Sequence, residues 1–412
     1  MDELDNGDLN AGITRKSASA GASYSPVASG VDENNKNAHA RSLALDEISQ
    51  MQADNVPVID YSSQGGVVIL ADTVKCNSVI KEITALRGCG LVINGIVDPF
   101  GKSAVIEGLD VPVICAQVEK VDGYLGAFDI TVTSAAGRTM PLTQLLPASD
   151  QPIDIVIDLL DTPCLDREVF PPGYFHAGES VGAEKHNSTL TPEELLATLP
   201  DMIGEFDKPK YFSYNPDICV HGRAGKTACT RCIDACPTAA IGSLLESIEV
   251  DSHLCQGGGS CAAVCPSGAI GYSYPALDHV LGAVAKLLKV YREQGGKNPK
   301  ILFYESDAEP EIQCILDTAA ASNVLPLMME EVGAIGMETT LGVFAHGAQQ
   351  VVIGHSKHTP QRVTDALRRQ SALANLFLHA MGYGHECIVL SSLETLPSLV
   401  ASGTVTQHAQ LP

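Results

Sequence analysis

Apolar and polar positions change their period several times along this chain. Up to about residue 55 neither a period of 2 nor one of 3.6 is sustained. SASAGASYSPVASG and VDENNKNAHARS are polar and small, which predicts a disordered tail over residues 1–55. Beyond Gly65, VVILAD (67–72), LVINGIV (91–97), VPVICAQV (111–118), AFDITVTSA (127–135) and DIVIDLL (154–160) are apolar runs of strand length. VIKEITAL (79–86) has helical spacing, and Thr191-Pro192-Glu193-Glu194 combines an N-cap, a proline at the first helical position and a capping-box glutamate, predicting a helix to about Glu205. These elements make residues 56–205 an α/β domain.

A second alternating region follows a cysteine-bearing stretch at 206–276. PALDHVLGAVAKLLKVYREQ (275–294) is amphipathic and is stopped by Gly295-Gly296. Strand-like KILFYES, VLPLMM, QQVVIGH and ECIVLSS then alternate with helical segments around EIQCILDTAAAS, TTLGVFAHG and Thr359 to Met381. Continuous apolar strands alternating with helices predict a parallel sheet, so residues 277–412 read as a flavodoxin-like or Rossmann-like α/β domain. The fold class expected is α/β plus α+β, with the cysteine stretch inserted between two α/β domains.

The chain has 412 residues, 45% of them hydrophobic and 18% charged, enough apolar surface for more than one core. Its formal net charge of -23 would repel phosphate backbones and anionic lipid, so nucleic acid is excluded as a partner and a protein with a basic docking patch is expected. No apolar run of 18 or more residues occurs and MDELDNGDLN does not resemble a secretory signal, so no membrane insertion and a cytoplasmic setting are expected.

In a reducing compartment thirteen cysteines point to metal or catalysis rather than disulfides. Cys76, Cys89, Cys115, Cys164, Cys314 and Cys387 are scattered and read as small buried hydrophobes. The other seven form two groups, Cys219-x9-Cys229-x2-Cys232-x3-Cys236-Pro237 and Cys255-x5-Cys261-x3-Cys265-Pro266. Both end in C-x3-C-P, and PTAAIG (237–242) matches PSGAIG (266–271), the mark of an internal duplication. Short steps between thiolates suit an iron-sulfur cube, whose irons stand at separate corners. Zinc also takes C-x2-C pairs, but zinc ribbons seldom carry two matching C-x3-C-P endings. Radical chemistry with S-adenosylmethionine wants a third cysteine where Ala239 and Gly268 stand.

The stretch 211–275 resembles the two-cluster bacterial ferredoxin domain, whose run is C-x2-C-x2-C-x3-C-P repeated twice. In that family the fourth cysteine of each run ligates the other cluster. The resemblance therefore implies a [4Fe-4S] cluster on Cys219, Cys229, Cys232 and Cys265, and a second cluster on Cys236, Cys255 and Cys261. Two departures stand out. VHGRAGKTA lengthens the first gap by seven residues, an insertion that loop-closure entropy tolerates, with Cys219 the first ligand and His221 the substitute. Gly258 occupies the place of the second cysteine in the second run, so the second cluster is expected to be [3Fe-4S], or [4Fe-4S] with a solvent-derived or non-cysteine ligand.

Other motifs fail on context. The segment ending in Gly225-Lys226-Thr227 has Val220 where a phosphate-binding loop needs glycine, and Gly178-Glu179-Ser180-Val181-Gly182 follows no strand. His346, His355 and His358 fall near the ends of the last strands, where α/β sheets often bind ligands, but lone histidines there are usually surface residues. Through GAIGMETTLGVFAHGAQQVVIGH, RRQSALANLFLHAMGYG and ECIVLSS, residues 300–392 are similar to the delta subunit of methyl-viologen-reducing hydrogenases. That family relays electrons to a partner enzyme. Its cluster-binding cysteines do not carry over, since only Cys314 and Cys387 lie here, and the resemblance implies a docking fold.

The function expected is an iron-sulfur electron-transfer protein, or a subunit relaying single electrons to or from a larger cytoplasmic oxidoreductase, with no catalytic residue of its own. The alternative is a structural or regulatory iron-sulfur adaptor. A third reading, an enzyme with a substrate site at the C-terminal sheet, would require a flavin or nucleotide.

Overall fold

The computed structural model describes residues 14–15, 36–53, 55–72, 81, 83, 92–98, 111–146, 152–176, 196–197, 199–222 and 228–401. Two compact units result. One comprises Met1–Ser19, Val58–Pro209 and Asp251–Gln256, and the other Ala20–Pro57, Lys210–Val250 and Gly257–Pro412. The cysteine stretch is thus shared, most of it lying in the same unit as the C-terminal sheet.

The first unit carries β1 (Thr14–Arg15), β2 (Val58–Ser63), β3 (Gly66–Leu70), β4 (Val92–Asp98), β5 (Val113–Asp122), β6 (Asp129–Ser134), β7 (Thr139–Pro141), β8 (Ile155–Asp158), β9 (Tyr174–His176) and β10 (Gly204–Pro209). Seven strands form one sheet in the order β7-β6-β5-β4-β3-β8-β9. The five from β5 to β9 are parallel, and β6 and β7 extend it as an antiparallel edge. In chain order the parallel strands run 3-2-1-4-5, one side of a doubly wound sheet. β3 reads as an unbroken apolar run because both of its faces are covered: Val67 and Ile69 belong to one core, Val68 and Leu70 to the other. A small antiparallel sheet, β1-β10-β2, completes the described strands.

The helix expected from Thr191 to about Glu205 does not extend that far. Pro200 falls in a 3-10 turn at Leu199–Met202, Gly204 takes φ +132°, and Glu205 lies in β10 opposite Ser62. Proline and a left-handed glycine end helical pairing there. The helix expected over 79–86 lies outside the described residues apart from Lys81 and Ile83, which are helical.

In the second unit β11 (Phe212–Tyr214), β12 (Ile241–Leu244), β13 (Ser247–Val250) and β14 (Ile270–Tyr272) surround two short helices, Arg231–Ala235 and Ser260–Ala263. β11 pairs with β14 and β12 with β13, both antiparallel, so each half runs strand, helix, strand. Then β15 (Lys300–Glu305), β16 (Val324–Met329), β17 (Gln350–His355) and β18 (Ile388–Ser392) form the all-parallel sheet β16-β15-β17-β18. Helices Leu277–Glu293, Glu309–Leu316, Met337–Ala345, Gln361–Ala380 and Leu396–Ala401 accompany it. In chain order the strands run 2-1-3-4, an all-parallel sheet of α/β type.

Residues 36–49 belong to the stretch expected to be a disordered tail, yet Lys36–Ser49 is a helix. Its Ala40, Ala44, Leu45 and Ile48 join the core formed by Val284, Leu287, Leu288 and Tyr291. Arg41 is buried with them, and its guanidinium donates to Leu316 O and Ala321 O at 3.1 and 2.8 Å. Alanines and a buried arginine give little hydrophobic signal, so the segment looks polar until its partner surface is present.

The carboxyl ends of β15 and β17, where this topology usually offers a ligand crevice, are tied by side chains. Glu305 Oε1 accepts from Val332 N–H at 3.1 Å and Oε2 from the Thr359 hydroxyl at 3.2 Å. The turn Val332–Ala334 in turn meets the glycine run Gly257-Gly258-Gly259: a Cβ on Gly333 would lie 2.1 Å from Gly258 O, and one on Gly259 (φ +70°) 2.5 Å from Ala334 N. Only glycine permits so close an approach of two backbones.

Candidate metal centre

The first group of cysteines leaves β11 through a short turn. Asn215 Oδ1 accepts from Asp217 N–H at 3.0 Å, Asn215 N–H donates to Ala269 O at 2.7 Å, and Cys219 follows the 3-10 turn Pro216–Ile218. Helix Arg231–Ala235 then presents Cys232, and Cys265 arrives from the second run just before β14. Cys219, Cys229, Cys232 and Cys265 line one cavity, open at its mouth and walled by Tyr214, Val220, Ile248, Pro266, Ala269 and Ile270 among others. These are the four thiols that the ferredoxin resemblance groups together, although Cys219 and Cys265 are far apart in sequence.

The spacing of the thiols bears on the metal. A zinc ion holds each thiolate at about 2.3 Å, bringing sulfurs to roughly 4 Å of one another. Among the described residues no three His, Cys, Asp or Glu side chains are close enough to hold a single ion. Four thiols on one cavity are the donor set that an iron-sulfur cluster takes.

Electrostatics differ from thiol to thiol. Burial pushes the Cys232 thiol up to about 11, with neighbouring Cys229 and Cys265 adding to the shift. Burial acts on Cys265 too, but N–H groups of Ile270, Ser267 and Ala269 and the Ser267 hydroxyl outweigh it and hold that thiol below its ordinary value. Burial and a hydrogen bond with Cys219 raise the Tyr214 hydroxyl, which also accepts from Ile248 N–H at 3.3 Å.

His221, the substitute ligand of the sequence reading, is otherwise engaged. Its Nδ1 meets Cys229 O and its Nε2 the Ser243 hydroxyl, each at 2.7 Å, so both ring nitrogens brace the cavity loop against β12. The phosphate-loop-like residues 223–227 and the Gly178–Gly182 motif lie outside the described residues. Cys314 is exposed rather than buried, Cys115 and Cys164 are half-buried, and Cys387 is buried. Cys76 and Cys89 lie outside the described residues.

Of the other three candidate ligands, Cys236 and Cys261 belong to the second unit and Cys255 to the stretch Asp251–Gln256 of the first. Cys236 is buried, its sulfur 3.3 Å from the Thr238 hydroxyl, and its carbonyl accepts from Arg362 Nη1 at 3.0 Å. The equivalent pair in the second run, Cys265 and Ser267, stands at 3.8 Å. The duplication could have flagged these hydroxyls, two positions after each cysteine. Nothing local marks Arg362, which comes from 126 residues away.

Residues 248–271 match the 4Fe-4S binding domain family. The match spans β13, the glycine run, Cys255, Cys261, Cys265 and β14. No curated protein matches the chain. The match supports a ferredoxin-type iron-sulfur domain here, with a [4Fe-4S] cluster and a general role in electron transfer. Among the described residues no helix is long and apolar enough to cross a membrane.

Proposed function

We propose that the chain is an electron relay within a larger cytoplasmic oxidoreductase, with Cys219, Cys229, Cys232 and Cys265 holding a [4Fe-4S] centre. The observation that carries this is the single cavity lined by those four thiols. Such a centre, when bound, accepts and releases one electron at a time. The protein's part is to fix the thiolates, to exclude water with Tyr214, Ile248 and Ile270, and to direct N–H groups at the Cys265 sulfur. No side chain is assigned bond-making chemistry.

The second run supports a further centre on Cys236, Cys255 and Cys261. With glycine at 258 it supplies three thiolates, suiting [3Fe-4S] or a [4Fe-4S] centre with one non-cysteine ligand. The net charge of -23 favours docking to a basic patch on the partner.

Anaerobic reconstitution with ferrous iron and sulfide tests the reading. We expect broad visible absorption, iron and acid-labile sulfide for two centres, and two paramagnetic signals, one of three-iron type in oxidised protein. Colourless protein without iron would reject the proposal, and centres that bind but resist reduction would leave a structural adaptor. Electron transfer to a small basic cytochrome should slow as ionic strength rises, and a salt-independent rate would remove the basic-patch assignment.

A further inference from the structure

Helix Gln361–Ala380 is apolar on its inner side and apolar again on its outer side. Val363, Leu367, Ser371, Ala374 and Leu378 are buried on the inner side. Leu373, Leu376, Phe377 and Met381 are 43, 67, 50 and 57% exposed, and Ala380 is exposed beside them. Steps of three and four residues put Arg369, Leu373, Leu376, Phe377 and Ala380 on one outer stripe, with Met381 at its end. The fifteen residues from Gln370 to Gly384 hold no Asp, Glu, Lys or Arg, in a chain that is 18% charged. A surface helix ordinarily carries charged and polar residues on this side, and a contiguous exposed apolar face marks an interaction surface.

We infer that this stripe is where two copies of the chain meet, as an antiparallel helix pair about a two-fold axis. A two-fold contact requires a self-complementary surface, and this one is. With the axis between Leu376 and Phe377, those residues face each other across the pair, and Leu373 of one copy lies opposite Ala380 of the other, large against small. Arg369 lies opposite position 384, just past the carboxyl end of the other helix, whose partial negative charge it complements. The uncharged stripe is also a place where two chains of net charge -23 can approach with little direct repulsion. The four large side chains expose on the order of 500 Å² in each copy, so pairing would bury roughly 1,000 Å², the size at which a specific interface becomes stable. The inference concerns this helix alone and does not depend on any iron-sulfur centre.

Sedimentation velocity of the full-length protein over a wide range of concentration tests it. Wild type should dimerise reversibly and more tightly as sodium chloride is added, since salt screens the repulsion between two acidic chains and leaves apolar burial intact. Leu376→Glu should raise the dimer dissociation constant by about a hundredfold or more, because two leucines are lost from the contact and two carboxylates are brought together. Leu376→Lys alone should do the same. An equal mixture of these two variants should recover a one-to-one dimer, which only a face paired with itself can do. Leu245→Glu, at a residue 88% exposed in the turn between β12 and β13, should stay dimeric. Both Leu376 variants should keep the wild-type circular dichroism, and Leu373→Gln weakens the same contact without adding a charge. A wild type that is monomeric at every concentration overturns the inference, as does a dimer that Leu376→Glu leaves intact, a dimer that weakens with salt, an assembly larger than two, or a Glu and Lys mixture that stays monomeric. Unfolding of the variants would mean that Leu376 is already covered within one copy, which overturns it as well.

Discussion

The two C-x3-C-P turns are copies of one another in sequence and in backbone, but not in surroundings. Ala239 and Gly268, each three residues after its cysteine, both take left-handed φ values, +52° and +67°. Thr238 and Ser267 both turn a hydroxyl toward the cysteine sulfur. Yet Cys236 is buried beneath the start of helix Gln361–Ala380, through Arg362, whereas Cys265 faces a cavity open at its mouth. Duplication supplied the same ligand-presenting turn twice, and helix Gln361–Ala380 then meets the two copies differently: Arg362 donates to Cys236 O, while Ala366 packs against Ala235 and Val264.

The most severe way to break the comparison is to remove each cysteine in turn. Cys265→Ser should lose the four-iron signal and Cys236→Ser the other, measured by iron content and paramagnetic resonance. If each substitution abolished the signal assigned to the other, the cross-tied assignment would be reversed.

Lys208, buried in β10 with its ammonium on His253 O, gives a pH signature in iron-free protein. Its folded value of about 8 lies below the ordinary 10.5, so the folded state binds fewer protons than the unfolded between those values. Its contribution to stability is present above about 10.5 and is lost as pH falls through 8. The difference in unfolding free energy between wild type and Lys208→Met should therefore change with pH in that window by about 3 kcal/mol at most. A flat difference in urea titrations from pH 8 to 10.5 would contradict the burial of the ammonium.

Within the second run, glycines separate a covered position from an open one. Gly259→Ala must push against the Ala334 backbone at left-handed φ and should cost about 2 kcal/mol or more, whereas Gly268→Ala meets nothing within 4 Å and should cost about 1. Gly258→Cys is different again: its Cβ would lie 3.6 Å from Pro237 Cγ and 3.9 Å from Val363 Cγ2, ordinary contacts. That variant should fold and replace the three-iron signal with a second four-iron one. The smallest effect expected is from Arg362→Ala, about 1–2 kcal/mol from the lost charged donor to Cys236 O, with faster bleaching of the covered centre in air.

Much of this was legible in the sequence because it is local. Continuous apolar runs marked β3, β15, β16 and β17, whose faces are both covered, and cysteine spacing marked the stretch that matches the 4Fe-4S binding family. The misreadings share a different cause. The helix Lys36–Ser49 was hidden because its core face is alanine and its buried Arg41 finds its acceptors some 280 positions away. His221, only a substitute for Cys219 in the sequence reading, spends its two ring nitrogens on Cys229 O and the Ser243 hydroxyl. The sequence by itself determined where the two C-x3-C-P turns lie and that they are repeats of one another, since cysteine spacing and turn residues are short-range features. Only the tertiary structure decided that Arg362 closes over Cys236 while Cys265 faces a cavity, and that a buried ammonium caps His253 O, because Arg362 and Lys208 reach their partners through folding and not through neighbourhood in the chain.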